Sequence, residues 1–141
     1  MYQYNCEVLR TVDGDTVDVR LDLGFKIYHK ARVRLYGIDT PESRTRDKDE
    51  KARGLLAKNH ILQALEDGES VVIETKLKDS RGKFGRVLGV LVIDGVDINQ
   101  QLIDSYLAVA YTGQNKKKVE AQHKKNRTKL IKQGLFDPKS I

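Results

Sequence analysis

The amino-acid sequence predicts an α+β protein, a five-stranded β-barrel with three α-helices. Over the first forty residues apolar and polar side chains alternate, as they do in half-buried strands; Val17, Val19 and Leu21 mark one such face. Later segments repeat apolar residues every three to four positions, the period of an amphipathic helix. With 141 residues, the chain is the size of one domain that buries a single core.

Three strands are expected before residue 42, because Pro41 ends regular structure. The predicted strands are 6–12, 16–23 and 27–35. The first two are joined by the turn Asp13-Gly14-Asp15, and a turn at Gly24 leads into the third.

The rest of the chain mixes helices with two further strands. The expected elements are a helix at 49–65, strands at 70–77 and 86–93 around a loop at 78–85, and helices at 98–107 and 117–133. Five short antiparallel strands with a helix after the third are the plan of an OB-fold barrel. No repeat or low-complexity linker divides the chain, so we expect one domain over residues 1–141.

Positive charge is concentrated in a C-terminal basic helix and tail at about 116–141. The net charge is +6, and residues 114–141 alone hold nine basic and two acidic side chains. Such a tail suggests a polyanionic partner, most often nucleic acid, with Lys116, Lys117 and Lys118 as the best candidates for contact. Charge alone slightly favours the alternative, a helix whose charges simply face water.

Other classes of protein are disfavoured. The longest apolar run, 87–93, is too short to span a bilayer, and the N-terminus lacks the pattern of a signal peptide. We therefore expect a monomer with no membrane partner, intracellular (cytoplasmic, or phage-encoded in a bacterial host) rather than secreted. A single cysteine, Cys6, and widely spaced histidines do not favour a metal site built from those residues.

Carboxylates and arginines gather near the predicted strand ends. Asp15 lies in the first turn, Arg34 late in the third strand, Asp39 and Glu42 just after it, and Arg86 at the start of the fifth. Two carboxylates at neighbouring strand ends suit a hard cation such as Ca²⁺, and a third could orient or deprotonate water. Two arginines can hold a phosphate and stabilise its transition state. Together these groups are suited to metal-assisted phosphodiester hydrolysis.

Each residue taken singly also has an ordinary structural explanation. An Asp-Gly pair is common turn chemistry, and an aspartate before Thr-Pro can organise a loop. Arg34 and Arg86 can be solvated surface arginines. Their combination, rather than any one of them, favours a catalytic site.

These segments resemble the staphylococcal nuclease (thermonuclease) family. The matching segments are VDGDT at 12–16, VRLYGIDTPE at 33–42, KFGR at 83–86, LAVAY at 107–111 and GLF at 134–136. The resemblance extends over about residues 4–137. It implies an OB-fold nuclease that requires Ca²⁺, cleaves DNA and RNA internally and leaves 3′-phosphates.

The resemblance also implies the residues that hold the metal and the water. Asp15 and Asp39 match the calcium carboxylates, and Thr40 matches the residue that offers its backbone carbonyl. Glu42 matches the glutamate that orients the attacking water and could deprotonate it. Asp13 matches a nearby acidic position that does not bind the metal.

The substrate-binding residues follow by the same resemblance. Arg34 and Arg86 match the phosphate-binding arginines, and Lys83 matches a lysine that contacts a substrate phosphate. Tyr111 matches a tyrosine that contacts the nucleotide, whereas Gly113 stands where the family often has a second tyrosine.

A rival interpretation is a non-catalytic OB-fold module that binds nucleic acid or protein, like the degenerate nuclease-like repeats of Tudor-containing proteins. Such modules lose carboxylates or arginines from the site. This chain keeps both kinds of residue, which favours the enzyme.

Overall fold

The structure is a computed structural model that describes residues 2–76 and 87–141. Its strands are β1 (Gln3–Asp13), β2 (Thr16–Asp22), β3 (Tyr28–Leu35), β4 (Ile38–Asp39), β5 (Val71–Thr75), β6 (Val87–Ile93), β7 (Val96–Asp97) and β8 (Val109–Ala110). Its helices are α1 (Lys48–Asp67), α2 (Ile98–Asp104) and α3 (Lys116–Lys132). The predicted barrel with three helices is confirmed.

The barrel is made of β1, β2, β3, β5 and β6. The antiparallel order β3-β2-β1-β5-β6 is closed by a pairing between β3 and β6, in which Val33 lies opposite Val87. This closing pair is parallel, so the expectation of antiparallel strands throughout is wrong at one seam. Alternation shows which face of a strand is buried but not the direction of its neighbour, which is why the sequence did not reveal it.

The core fills the barrel and continues beneath the helices. Val17, Val19 and Leu35 point into the barrel and are fully buried, as the period of two predicts. Ile61 of α1, Leu102 of α2 and Leu130 of α3 belong to the same apolar cluster. Burial of these faces holds the three helices against the barrel.

A buried asparagine fixes the chain between β3 and β4. The Asn99 side-chain amide donates to the carbonyl oxygens of Tyr36 (2.9 Å) and Gly89 (3.2 Å), and its oxygen accepts from the Leu91 N–H (3.1 Å). These bonds tie the start of α2 to β6 and to the turn before β4. Because a buried amide is costly unless it is hydrogen-bonded, the network favours a single position for this turn.

Helix α3 is joined to α1 by ionic hydrogen bonds. Asp49 accepts from Arg53 Nε at 2.8 Å and from Arg127, whose nearest nitrogen lies 2.9 Å away. Partial burial opposes ionisation of Asp49, but the bonds from Arg127 and Arg53 outweigh it and lower the pKa of this carboxyl.

We expect Asp49→Asn to lower the Tm near neutral pH by a few degrees, since an ionic contact at a partly exposed site contributes about 1 kcal/mol or less. A lowered folded-state pKa stabilises the protein above the unfolded value of about 3.9. This contribution is lost as the pH falls through the folded-state pKa. Wild type and variant should therefore converge in acid when their melting is followed by circular dichroism. A Tm difference that persists unchanged at pH 2 would contradict this assignment.

Within residues 2–76 and 87–141, no helix has the length and apolar character needed to cross a membrane.

Candidate active site

Asp15 and Asp39 converge on one arginine. Arg34 Nη2 lies 3.6 Å from Asp15 Oδ2 and 3.7 Å from Asp39 Oδ1, and the arginine side chain is only 18% exposed. The register of the barrel explains this, because Arg34 on β3 pairs with Thr16, the residue after Asp15. Asp39 arrives on β4, just after the turn at Gly37.

Hydrogen bonds bring Thr40 to the same place. The Thr40 N–H donates to Asp15 Oδ2 (3.3 Å), and the Thr16 hydroxyl donates to Asp15 Oδ1 (3.1 Å). The turn that carries Asp15 lies tightly against α1, since a Cβ on Gly14 would be 2.6 Å from Ala57 Cβ. Asp15 is therefore positioned by two hydrogen bonds and by the packing of its turn against α1.

A histidine that sequence analysis missed also contacts this cluster. His123 Nε2 on α3 lies 2.7 Å from Asp39 Oδ2, and the histidine side chain is 15% exposed. Asp39 thus presents one oxygen to Arg34 and the other to His123. Helical spacing could have indicated that His123 faces the protein, because it precedes the buried Leu130 by seven residues and so lies on the same face of α3.

Glu42 is near the cluster but has a different environment. Partial burial is the main cause that raises its pKa, followed by the negative charges of Asp15, Asp13, Glu50 and Asp39. A carboxylate with a raised pKa is a better proton acceptor than an ordinary glutamate.

Asp13 fixes the loop that follows Glu42. It accepts a hydrogen bond from the buried Ser43 hydroxyl and pairs with Arg44 at 3.5 Å. At the other end of the loop, Glu50 Oε2 accepts the Glu42 N–H (3.0 Å). Asp13 and Glu50 therefore help to position Glu42: Glu50 binds its backbone N–H, and Asp13 binds the two residues that follow it.

Glycine at position 54 lets α1 pack onto this loop. A Cβ on Gly54 would lie 2.6 Å from the Pro41 carbonyl oxygen and 2.7 Å from backbone atoms of Glu42. Backbone atoms cannot rotate away as a flexible side chain can, so α1 and the loop approach this closely only because residue 54 has no side chain.

We expect Gly54→Ala to be destabilising by about 1–3 kcal/mol, the usual cost of overpacking. Alanine favours helix by only about 1 kcal/mol over glycine, so the clash outweighs the gain. The clash should also displace the backbone of Glu42. Denaturant unfolding measures the loss of stability. Lys58→Ala, exchanging another α1 residue, is the control; a Gly54→Ala variant more stable than wild type would contradict the packing.

A groove of about 700 Å³ opens beside the carboxylates. One wall is the segment from Asp39 to Glu42 with the start of α1, and the opposite wall is α3. Tyr111 also lines the groove, and it is 44% exposed, available to a ligand. The structure thus brings Asp39, Thr40, Glu42 and Tyr111 into one groove, with Asp15 and Arg34 joined to it through Asp39. Lys83 and Arg86 lie outside the described residues.

The oxygens gathered here have the chemistry of a calcium site. Asp15 and Asp39 offer carboxylates, Thr40 has a backbone carbonyl, and Ca²⁺ is bound by six to eight such oxygens, water included. The buried Thr40 hydroxyl also has no hydrogen-bond partner in the described structure. In the part of the chain that the structure covers, no three or more His, Cys, Asp or Glu side chains form a metal-binding group. A cation bound here would therefore depend on water and substrate for most of its ligands.

Comparison with known proteins decides the family. The sequence profile described as "Staphylococcal nuclease homologue" matches residues 32–136, well over half of the chain. The chain belongs to the staphylococcal nuclease family. The predicted resemblance to this family is therefore confirmed, and the motifs at 33–42 and 83–86 lie within the matched residues.

Individual relatives agree with the family match. Endonuclease YncB of Bacillus subtilis (strain 168) is 31% identical over 110 residues, which cover 76% of this chain and 48% of YncB. The SPbeta prophage-derived endonuclease YokF of the same strain is 30% identical over 118 residues, 83% of this chain and 38% of YokF. An uncharacterized Bacillus anthracis protein is 33% identical over 106 residues, 74% of this chain and 47% of that protein. The chain spans about half, or less, of these relatives.

Membership of the staphylococcal nuclease family, with relatives named as endonucleases, supports a nuclease-type function.

Proposed function

We propose that this protein is a Ca²⁺-dependent endonuclease that hydrolyses phosphodiester bonds of DNA and RNA and leaves 3′-phosphate ends. The observation that carries the proposal is the meeting of Asp15 and Asp39 on Arg34, with Glu42 in the adjoining groove. Clustered carboxylates explain a metal requirement, and the arginine explains affinity for phosphate.

Three residues would hold the cation. They are Asp15 and Asp39, through their carboxylates, and Thr40, through its carbonyl. Bound Ca²⁺ supplies positive charge that polarises the phosphate and its attacking water. His123 orients Asp39 by engaging Oδ2, while Oδ1 lies 3.7 Å from Arg34 Nη2, on the side of Asp15.

The remaining residues act on water and phosphate. Glu42 accepts a proton as the water oxygen bonds to phosphorus. The P–O5′ bond breaks, O5′ leaves with the electron pair and takes up a proton from solvent water, and the phosphate stays on the 3′ oxygen. Arg34 and Arg86 hold the phosphate oxygens and stabilise the charge that develops on them. Lys83 contacts a neighbouring phosphate, and Tyr111 offers its ring to a base.

Cleavage assays with single- and double-stranded DNA and RNA, in Ca²⁺ or in chelator, test the proposal. We expect internal cleavage only with Ca²⁺, and 3′-phosphates on the products. Asp15→Asn keeps an oxygen for the Thr40 N–H but removes the charge, so it should lose activity and keep its fold. The exposed Asp22→Asn serves as the control.

Undiminished cleavage in chelator would overturn the metal requirement. If the protein binds nucleic acid but never cleaves it, the non-catalytic binding module is the correct interpretation.

A further inference from the structure

We propose that α3 forms a second phosphate-binding surface, on which Lys116 and Lys124 bind phosphates of the nucleic-acid strand beyond the one being cleaved. This inference rests on the proposed function, because it assumes that the groove receives nucleic acid. It assigns a binding role to one face of a helix whose charge is otherwise unexplained.

The face is defined by helical spacing. Five residues of α3 line the groove, Lys116, Val119, Glu120, His123 and Lys124. Their spacing of three and four residues places them in one stripe along the helix. We call this stripe the α3 wall.

Most of the other basic residues of α3 lie off the α3 wall. Of the three consecutive lysines expected from the sequence to contact nucleic acid, only Lys116 lines the groove, and Lys117 and Lys118 do not. Lys124 lines it, whereas its neighbour Lys125 does not. In each adjacent pair of lysines, one residue therefore lines the groove and its neighbour does not.

The charges of the two walls differ, and this difference sets a path for the strand. Among the described residues, the lining outside α3 includes four carboxylates, Asp39, Glu42, Asp47 and Glu50, and one basic residue, Arg53. The α3 wall carries two lysines and one carboxylate, Glu120. Away from the cation-binding residues, phosphates are repelled by the carboxylates of Asp47 and Glu50 and attracted to the lysines. The backbone of the strand beyond the cleaved bond should therefore follow α3.

The two lysines are far enough apart to contact different phosphates. They are separated by eight residues, which is about 12 Å along a helix. A stacked strand rises about 3.4 Å per nucleotide. Lys116 and Lys124 can therefore contact phosphates several nucleotides apart, in addition to the phosphate held at Arg34.

The adjacent lysines allow a matched experiment. The test variant is Lys116→Gln/Lys124→Gln, and the control is Lys117→Gln/Lys125→Gln. Each removes two positive charges from α3, and all four residues are exposed. Binding of a short fluorescent single-stranded oligonucleotide is measured in chelator, so that no cleavage occurs, over a range of salt concentrations. Melting temperatures confirm that both variants are folded.

Each phosphate contact on a single strand contributes about −0.7 to the slope of log affinity against log salt. We expect the test variant to have a slope shallower by about 1.4 and to bind about 20-fold more weakly near 0.1 M salt. The control variant should stay close to wild type. Glu120→Gln should tighten binding, because it removes the one carboxylate of the α3 wall.

Equal slopes for the two double variants would overturn the inference, because the lysines would then act only through overall charge. Failure of the proposed function is recognised separately, by the absence of Ca²⁺-dependent cleavage in wild type. In that case, a selective effect of the test variant would still establish the α3 wall as a binding surface.

Discussion

Replacing Arg34 with lysine is expected to lower kcat by about 10²–10³-fold, the usual cost of losing one well-placed charged donor at a reacting group. Arg34 uses two nitrogens at once, since Nη2 reaches Asp15 and Asp39 while Nη1 donates to the Leu35 carbonyl at 2.9 Å. An ammonium keeps the charge but cannot reproduce the planar fork that binds two oxygens together. Turnover at saturating substrate measures the loss.

Arg32 on the same strand provides the control. Its guanidinium pairs with Asp18 at 2.7 Å on the exposed face of the barrel, away from the groove. Arg32→Lys should leave kcat near the wild-type value. If Arg34→Lys turns over as fast as Arg32→Lys, the role assigned to Arg34 is wrong and the arginine only neutralises the two carboxylates.

Replacing Glu42 with glutamine should produce a loss of similar or larger size, about 10²–10⁴-fold in kcat, because it removes the proton acceptor and keeps the size of the side chain. KM should change little, since substrate is held by arginines, lysines and the groove. Steady-state kinetics separate the two parameters.

A glutamate outside the groove tests whether charge alone explains the effect. Glu69 is exposed and remote from the groove lining, so Glu69→Gln should keep normal kinetics. Unchanged kcat in Glu42→Gln would show that another group accepts the proton. An increase in KM alone would instead make Glu42 a residue that positions substrate.

Much of this architecture was predictable because its signals are local. Alternation along β2 identified the buried face, and the turn at Gly24 joins β2 to β3 in the register that pairs Thr16 with Arg34 and so places Asp15 nearby. Asp39 and Glu42 lie near each other in the structure because they are only three residues apart in the sequence. Lys83 and Arg86, which lie outside the described residues, remain predictions.

The features that sequence analysis missed depend on contacts between distant segments. The bond between His123 and Asp39 joins residues 84 positions apart, and no local pattern records such a partner. The parallel pairing of β3 with β6 likewise follows from the path of the whole chain. Closeness in sequence pointed to Lys117 and Lys118, but rotation around the helix axis turns them away from the groove.

The late arrival of α3 has a consequence for biosynthesis. Asp39 and His123 are 84 residues apart in the sequence, and Asp49 and Arg127 are 78 apart, so α3 is translated well after the carboxylates that it contacts. Before α3 has been synthesised, Asp39 and Asp49 have no helix opposite them, and a nucleic-acid strand has no α3 wall to bind. The groove is therefore complete only after α3 has been synthesised and has packed against α1.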